Sequence, residues 1–185
     1  MMIKLIVLIV SCSFVTVNAI LAPFVPCEGR SALSKNISVD IVPCDLSTTN
    51  SSCLFQRGDN ANFTIYFSPD VNISTPIERV IMAKFAKKLK DKYVEVPYGG
   101  GVAADDRTYY IDESGSPQSI EGKGLIAGKP YFFNNIFNIL SSSPKTTLWA
   151  RYLIREAKPC KKSKCNWLLH PGQMLVCVEI PVTIV

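Results

Sequence analysis

The sequence predicts an all-β domain, an antiparallel sandwich of two sheets, on three observations. Apolar and polar residues alternate along several stretches with the period of two that gives a strand one buried face. Clusters of Gly, Pro, Ser, Asn and Asp separate these stretches, as turns would. Cysteine is used in the even number that a disulfide-stapled exported fold requires, once a leader segment is set aside.

That leader is residues 1–19. Lys4 supplies a positive start, Leu5 to Val10 an apolar run, and Val17-Asn18-Ala19 small residues at a cleavage bond. This is the pattern of a secretory signal peptide, too short and too poorly flanked for a membrane anchor. The folded domain is then residues 20–185 of the 185-residue chain, room for one ordinary domain. The net charge of +5 is mild and drops by one as Lys4 leaves. With export, it disfavours nucleic acid as a partner. A soluble, monomeric domain in the extracellular space or the endolysosomal lumen is expected.

Taken in order, Ile37, Val39 and Ile41 share one parity, with Ser38 and Asp40 on the other. Ala61, Phe63, Ile65 and Phe67 alternate with Asn62, Thr64 and Tyr66, after a turn at Arg57-Gly58-Asp59. That triplet reads as hairpin chemistry rather than as an adhesion motif. Ile77, Ile81, Phe85 and Leu89 recur every four residues with Val80 and charges between them. Residues 77–90 therefore stay open between amphipathic helix and strand. Tyr93-Val94-Glu95-Val96-Pro97 returns to strand character, and residues 99–122, rich in Gly, Asp and Ser, read as one long loop. Tyr131, Phe133, Phe137 and Ile139 share a face interrupted by Asn135. Leu148, Ala150, Tyr152 and Ile154 alternate with Trp149, Arg151 and Arg155, and Val176 to Ile184 alternate to the end.

Removing residues 1–19 takes Cys12 and leaves Cys27, Cys44, Cys53, Cys160, Cys165 and Cys177. Cys44/Cys53 and Cys160/Cys165 are close in sequence and flanked by turn formers, so local pairing closes small loops cheaply. Cys27 and Cys177 are then left to join the two ends. No C-x-x-C pair exists and His170 is the only histidine, which argues against a metal. Sequons at Asn36, Asn50, Asn62 and Asn72 predict N-glycosylation of solvent-facing asparagines in the first half of the chain.

Catalysis finds little support. His170 stands beside Pro171-Gly172 without a nucleophile elbow, so no catalytic residue is assigned and a non-enzymatic role is expected. Gly124 to Lys129 is one residue short of a phosphate loop and reads better as the lead-in to a strand. Two lysine clusters, Lys84/Lys87/Lys88/Lys90/Lys92 and Lys158/Lys161/Lys162/Lys164, are either a solvated face or a contact for anionic membrane, worth about 1 kcal/mol per near-surface lysine.

Four stretches together carry a resemblance. They are Val25-Pro26-Cys27-Glu28-Gly29; Ile37 to Cys44, leading to Cys53; Gly128-Lys129-Pro130-Tyr131; and Cys177-Val178-Glu179-Ile180-Pro181-Val182. In this order the chain resembles the ML lipid-recognition domain family, near the Niemann–Pick type C2 sterol carriers and the group 2 mite allergens, over residues 24–185. The resemblance implies an immunoglobulin-like sandwich with a lipid cavity between its sheets. It favours strand for residues 77–90 and implies the pairings Cys27–Cys177 and Cys44–Cys53. The family's third disulfide falls in the loop matching residues 98–122, which lacks cysteine here; Cys160 and Cys165 staple a different turn.

A lipid cavity needs shape and dryness rather than catalytic groups, and no cofactor besides a bound lipid is expected. Family position nominates Tyr98, Phe133, Phe137 and Ile139 as lining; strand parity adds Phe63, Ile65, Val80, Tyr152 and Ile154. Ser143 stands where sterol-carrying relatives have an aromatic, and Tyr98 where they have phenylalanine. Sterol and fatty acid therefore remain open as ligands, with a lipid-receiving membrane protein as a further expected partner. A second reading stays beside the carrier: an innate-immune-type recognition protein for microbial glycolipid or a receptor ectodomain.

Overall fold

The computed structural model describes residues 21–28, 31–44, 52–74, 76–89, 92–157 and 172–185. The expected signal peptide, Asn50, Lys90, the Cys160/Cys165 pair, the second lysine cluster and His170 lie outside the described residues. The strands are β1 (Val25–Pro26), β2 (Ser34–Val42), β3 (Cys53–Phe55), β4 (Asn60–Pro69), β5 (Ile77–Leu89) and β6 (Lys92–Ala103). After one 3₁₀ turn at Asp105–Arg107 come β7 (Thr108–Ile111), β8 (Pro117–Ser119), β9 (Tyr131–Asn138), β10 (Thr146–Glu156) and β11 (Met174–Ile184).

Two sheets form. One runs β1-β11-β10-β5-β6, with β3 also on β11 as a short parallel pairing; the other runs β2-β4-β9-β7-β8, antiparallel throughout. The alternation of each strand dictates this stacking. Val39, Ile41, Phe63, Ile65, Phe67, Tyr131 and Phe133 of the second sheet are buried in one cluster with Ile77, Ile81, Tyr152, Ile154, Val178 and Ile180 of the first. Each inner face hides the other, and the all-β sandwich follows from the period of two.

Residues 77–90 resolve as strand. β5 pairs with β10 from Ile77↔Glu156 to Phe85↔Leu148 and with β6 on its other side, so it is central rather than a surface helix. The long loop expected over residues 99–122 is corrected. Gly99 and Ala103 still pair with β5, and Tyr109 to Ile111 form a hairpin with Pro117 to Ser119. The Thr108-Tyr109-Tyr110-Ile111 run is strand-forming chemistry that the surrounding Gly, Asp and Ser masked. Residues 124–129 lead into β9 as expected. Gly124 holds φ 70°, and a β-carbon there would lie 2.2 Å from the carbonyl oxygen of Ile73. Arg57-Gly58-Asp59 turns between β3 and β4, with Gly58 at φ 93° and the Gln56 amide donating to Asp59 Oδ2.

Cys27–Cys177 joins residues 150 apart in sequence, and Cys44–Cys53 closes a separation of 9. The first lies on the outer face of the β11 sheet, packed with Val80, Met82 and Leu153.

Candidate functional site

Between the sheets, toward the ends of β4, β9, β10 and β11, the core becomes a seam of aromatic rings. Phe63 is its centre. It stacks on Tyr152 at 5.0 Å, meets Phe137 edge-on at 6.1 Å and lies 6.1 Å from Phe55. Ile81 and Ala83 of β5 face Tyr152 and Ala150 of β10 in register, and Leu148, Val182 and Ile184 close the far wall. An apolar void of ≈ 40 Å³ remains among these side chains. That is space for about one water-sized group, whereas sites that hold a drug-sized molecule run to roughly 300–1,000 Å³.

The seam opens past Tyr98. Its ring packs on Phe137 at 4.7 Å while 45% of the residue is exposed. Outside lies a groove of ≈ 590 Å³ bordered by Arg79, Pro97, Ile136, Leu140, Ser143 and Pro144, with Ile81, Tyr98 and Phe137 common to groove and seam. Ile136 and Leu140, at 62% and 56%, are exposed beside it.

Of the nine expected lining residues, the seam brings together Phe63, Tyr98, Phe137, Ile139 and Tyr152. Ile65, Phe133 and Ile154 are fully buried in the shared core next to it. Val80 is elsewhere: it packs with Leu153 and Cys177 on the outer face, and Ile81 takes the inward place. Along β5, Ile77 and Ile81 face the core while Val80 and Met82 face outward, so ordinary parity with Ile77 and Ile81 puts Val80 on the outer side. Leu148 and Ala150 were legible by parity with Tyr152; Phe55, on a three-residue strand, was not.

Polar groups border the seam on the side of β5 and β9. Burial drives the Tyr152 hydroxyl far above its usual range, opposed by the nearby Asn135 amide and the Arg79 cation. Asn135 is itself buried and its Oδ1 accepts from Arg107 Nη1 at 3.2 Å. The Asn135 side chain acts on the Tyr152 hydroxyl as a hydrogen-bond partner of imperfect geometry, and Arg79 Nε is buried without one. Burial also lowers the Arg79 guanidinium; Tyr152 opposes this, Arg107 adds to it.

The outer face of the β11 sheet holds an ion cluster the sequence reading missed. Glu179 accepts from Lys84 Nζ at 2.8 Å and from Arg151 Nε at 2.9 Å, while Arg151 Nη1 reaches Glu95 at 2.7 Å. Burial alone would raise the Glu179 carboxyl; hydrogen bonds from Lys84 and Arg151 outweigh it and hold the group below its ordinary value. Lys84, counted above with a solvated basic face, is therefore a buried ion partner, also 4.4 Å from the Tyr93 ring. Its signal was the set Lys84, Arg151 and Glu179 on adjacent strands, visible only once the register is known.

The sequons at Asn36, Asn62 and Asn72 sit on exposed asparagines. Asn36 adopts φ 52° at an irregularity of β2, and Asn72 Oδ1 accepts from the Ala127 amide at 2.7 Å, which leaves its Nδ2 free of that bond. Among the described residues no group of three His, Cys, Asp or Glu side chains is arranged to hold a metal ion.

No protein-family model and no curated protein sequence matches the chain. Solved structures do. A Niemann–Pick type C2 protein from the Japanese carpenter ant aligns with a TM-score of 0.58 over 88% of this chain and 99% of that one, at 17% identity. The C-terminal domain of wzt aligns at a TM-score of 0.47 and 10% identity, over 89% of this chain and 78% of that one, too distant to argue from. The fold is thus a two-sheet β-sandwich of the Niemann–Pick type C2 kind.

Proposed function

We propose that the protein is a lipid carrier that takes one amphiphile into the seam between its sheets and releases it without covalent chemistry. The carrying observation is the apolar void ringed by Phe63, Phe137 and Tyr152 that opens through Tyr98 onto a groove bordered by Ile136 and Leu140. The void lies toward an edge of the sandwich where Val96, Tyr98, Ile136 and Leu140 are exposed. The void is far smaller than a lipid, so loading requires β5 and β6 to part from β9. Area buried by an acyl chain returns roughly 25 cal/mol per Å² toward that opening. The likeness to the ant protein supports the reading, and the disulfides Cys27–Cys177 and Cys44–Cys53 suit an exported, oxidising setting. Donor vesicles carrying a pyrene-labelled fatty acid or a fluorescent sterol, mixed with unlabelled acceptors, test it. Transfer proportional to protein concentration, with no other protein present, is expected; transfer no faster than the spontaneous rate sinks the carrier.

One observation favours the recognition reading. On the outer face of the other sheet, Tyr66, Phe132 and Tyr109 form a row with ring separations of 6.1 and 5.4 Å, beside Arg107, Asn134 and Asn138. Aromatic faces flanked by amides suit a saccharide headgroup. Binding of a soluble oligosaccharide that Phe132→Ser abolishes would favour it.

A further inference from the structure

We infer that the outer face of the β2-β4-β9-β7-β8 sheet is covered by the chain's own sugar: an N-linked glycan on Asn62 lies along the aromatic row of Tyr66, Phe132 and Tyr109. This takes up the saccharide reading of that face and names the saccharide. It rests on export through a glycosylating compartment and is independent of what the seam carries.

Register fixes the attachment point. Asn62 lies on β4, opposite Val42 of β2 on one side and Ile136 of β9 on the other. Residues paired in this way share a face, with β-carbons about 4.5–5.5 Å apart, so Asn62 stands between two apolar side chains. Both are unusually open for their type, Val42 at 49% and Ile136 at 62%. Thr64, which completes the sequon, shares the outer face with Asn62 while Phe63 between them is buried.

From Asn62 the face continues as one strip. The next pair along β4 and β9 is Thr64↔Asn134, then Tyr66↔Phe132, and Tyr109 of β7 stands opposite Phe132. The Tyr66 and Phe132 rings are 6.1 Å apart, and Phe132 stacks on Tyr109 at 5.4 Å and 24°. An open hollow of ≈ 680 Å³ follows the same strip from Ile136 past Asn134 to Phe132 and Tyr109. Asn62 and Tyr66 are four residues apart on one strand, about 13 Å. The two N-acetylglucosamines and the mannose that begin an N-linked chain cover that distance.

The chemistry of the strip suits a sugar better than other partners. Pyranose rings present C–H faces and hydroxyls together, and here flat rings alternate with the amides of Asn134 and Asn138, which both donate and accept. Among the residues lining the hollow Arg107 carries the charge, and Asp106 lies 4.0 Å from it, so an anionic membrane finds little attraction. A protein partner would have to bury those amides. A sugar bonded to Asn62 is held beside the strip at an effective concentration of order millimolar, which excludes a free competitor.

The test uses the secreted, oxidised glycoprotein, with the modification of Asn62 read by glycopeptide mass mapping. Asn62→Gln and Thr64→Val each delete that glycan through different atoms and leave the other sequons intact. Each should lower the melting temperature by about 2–4 °C, and by nothing on a Phe132→Ser background, because sugar and ring act as one unit. Should Phe132→Ser not be secreted, Tyr66→Ser, at a 41% exposed position, repeats the cycle. The free N-linked core pentasaccharide should bind Thr64→Val and not the glycosylated parent. An unmodified Asn62, or an equal loss with and without the ring, overturns the inference. Equal binding of the pentasaccharide to parent and Thr64→Val also overturns it, and leaves the face open to a saccharide from outside.

Discussion

Glu179 is held by two cations, Arg151 of the adjacent β10 and Lys84 of β5 one strand further, at 2.9 and 2.8 Å, on the face of the sheet turned away from the seam. Removing one member of a buried ion cluster leaves the others uncompensated, so Glu179→Gln should cost about 3–5 kcal/mol in urea unfolding. The same carboxylate sets an acid limit. Its pKa is lowered on folding, so its stabilisation is complete above the ordinary carboxylate value and is lost as pH falls through the lowered one. Asp105 acts oppositely. Burial raises its carboxyl against the hydrogen bond from the Ile77 amide, so its effect favours the fold as pH drops through the raised value. From these two groups, the melting temperature should rise as pH falls through the raised Asp105 value and then drop as pH falls below the ordinary carboxylate range through the lowered Glu179 value. Glu179→Gln should flatten that acid fall in a thermal scan across pH. At Gly124 the φ of 70° and the 2.2 Å approach to the Ile73 carbonyl leave no room for a side chain. Gly124→Ala should therefore destabilise the fold by at least about 1 kcal/mol, read by the same unfolding curves.

At the scale of elements, the seam depends on small residues facing large ones. Ala83 and Ala150 lie opposite each other on β5 and β10, and both border the void. Ala150→Phe should fill it, costing about 1–3 kcal/mol in stability and removing lipid uptake while near-ultraviolet circular dichroism still reports a packed core. The strands that bury one face, β2, β4 and β9, were legible as alternation because a period of two directly records which side meets the other sheet. β10 and β11 are buried on both faces, and their inward sides were legible because Arg151, Arg155 and Glu179 mark the other side as polar. β5 was ambiguous for a physical reason: Ile77, Ile81, Phe85 and Leu89 are four apart, which suits one face of a helix and also one face of a strand. Val80 was assigned to the wrong side because both faces of β5 carry buried residues, inward through Ile81 and outward through Val80 and Met82. Short pieces such as β1, β3 and β8 are too brief to show any period. The ion cluster and the polar group at Tyr152 depend on register between distant strands, which one-dimensional reading does not contain.

For the whole molecule, Cys27–Cys177 ties the first strand to the last across 150 residues and Cys44–Cys53 pins β3, whose Phe55 borders the seam. Replacing both Cys27 and Cys177 by serine should cost about 2–5 kcal/mol, visible as a lowered melting temperature. The sheet carrying β11 is thereby stapled at β1, while β6 at its opposite edge carries the exposed Val96 and Tyr98 beside the groove. On the carrier reading proposed above, this asymmetry places the opening at the β6 edge. The central claim is that the sheets part there to admit one lipid where only ≈ 40 Å³ is now open. Native mass spectrometry of the delipidated protein, titrated with oleate and with cholesterol beside the Ala150→Phe variant, tests it most directly. The account predicts a single added lipid on the unaltered protein, saturating at one per chain, and none on the variant. A protein that stays free of lipid throughout, or a variant that loads as readily as the parent, would contradict it.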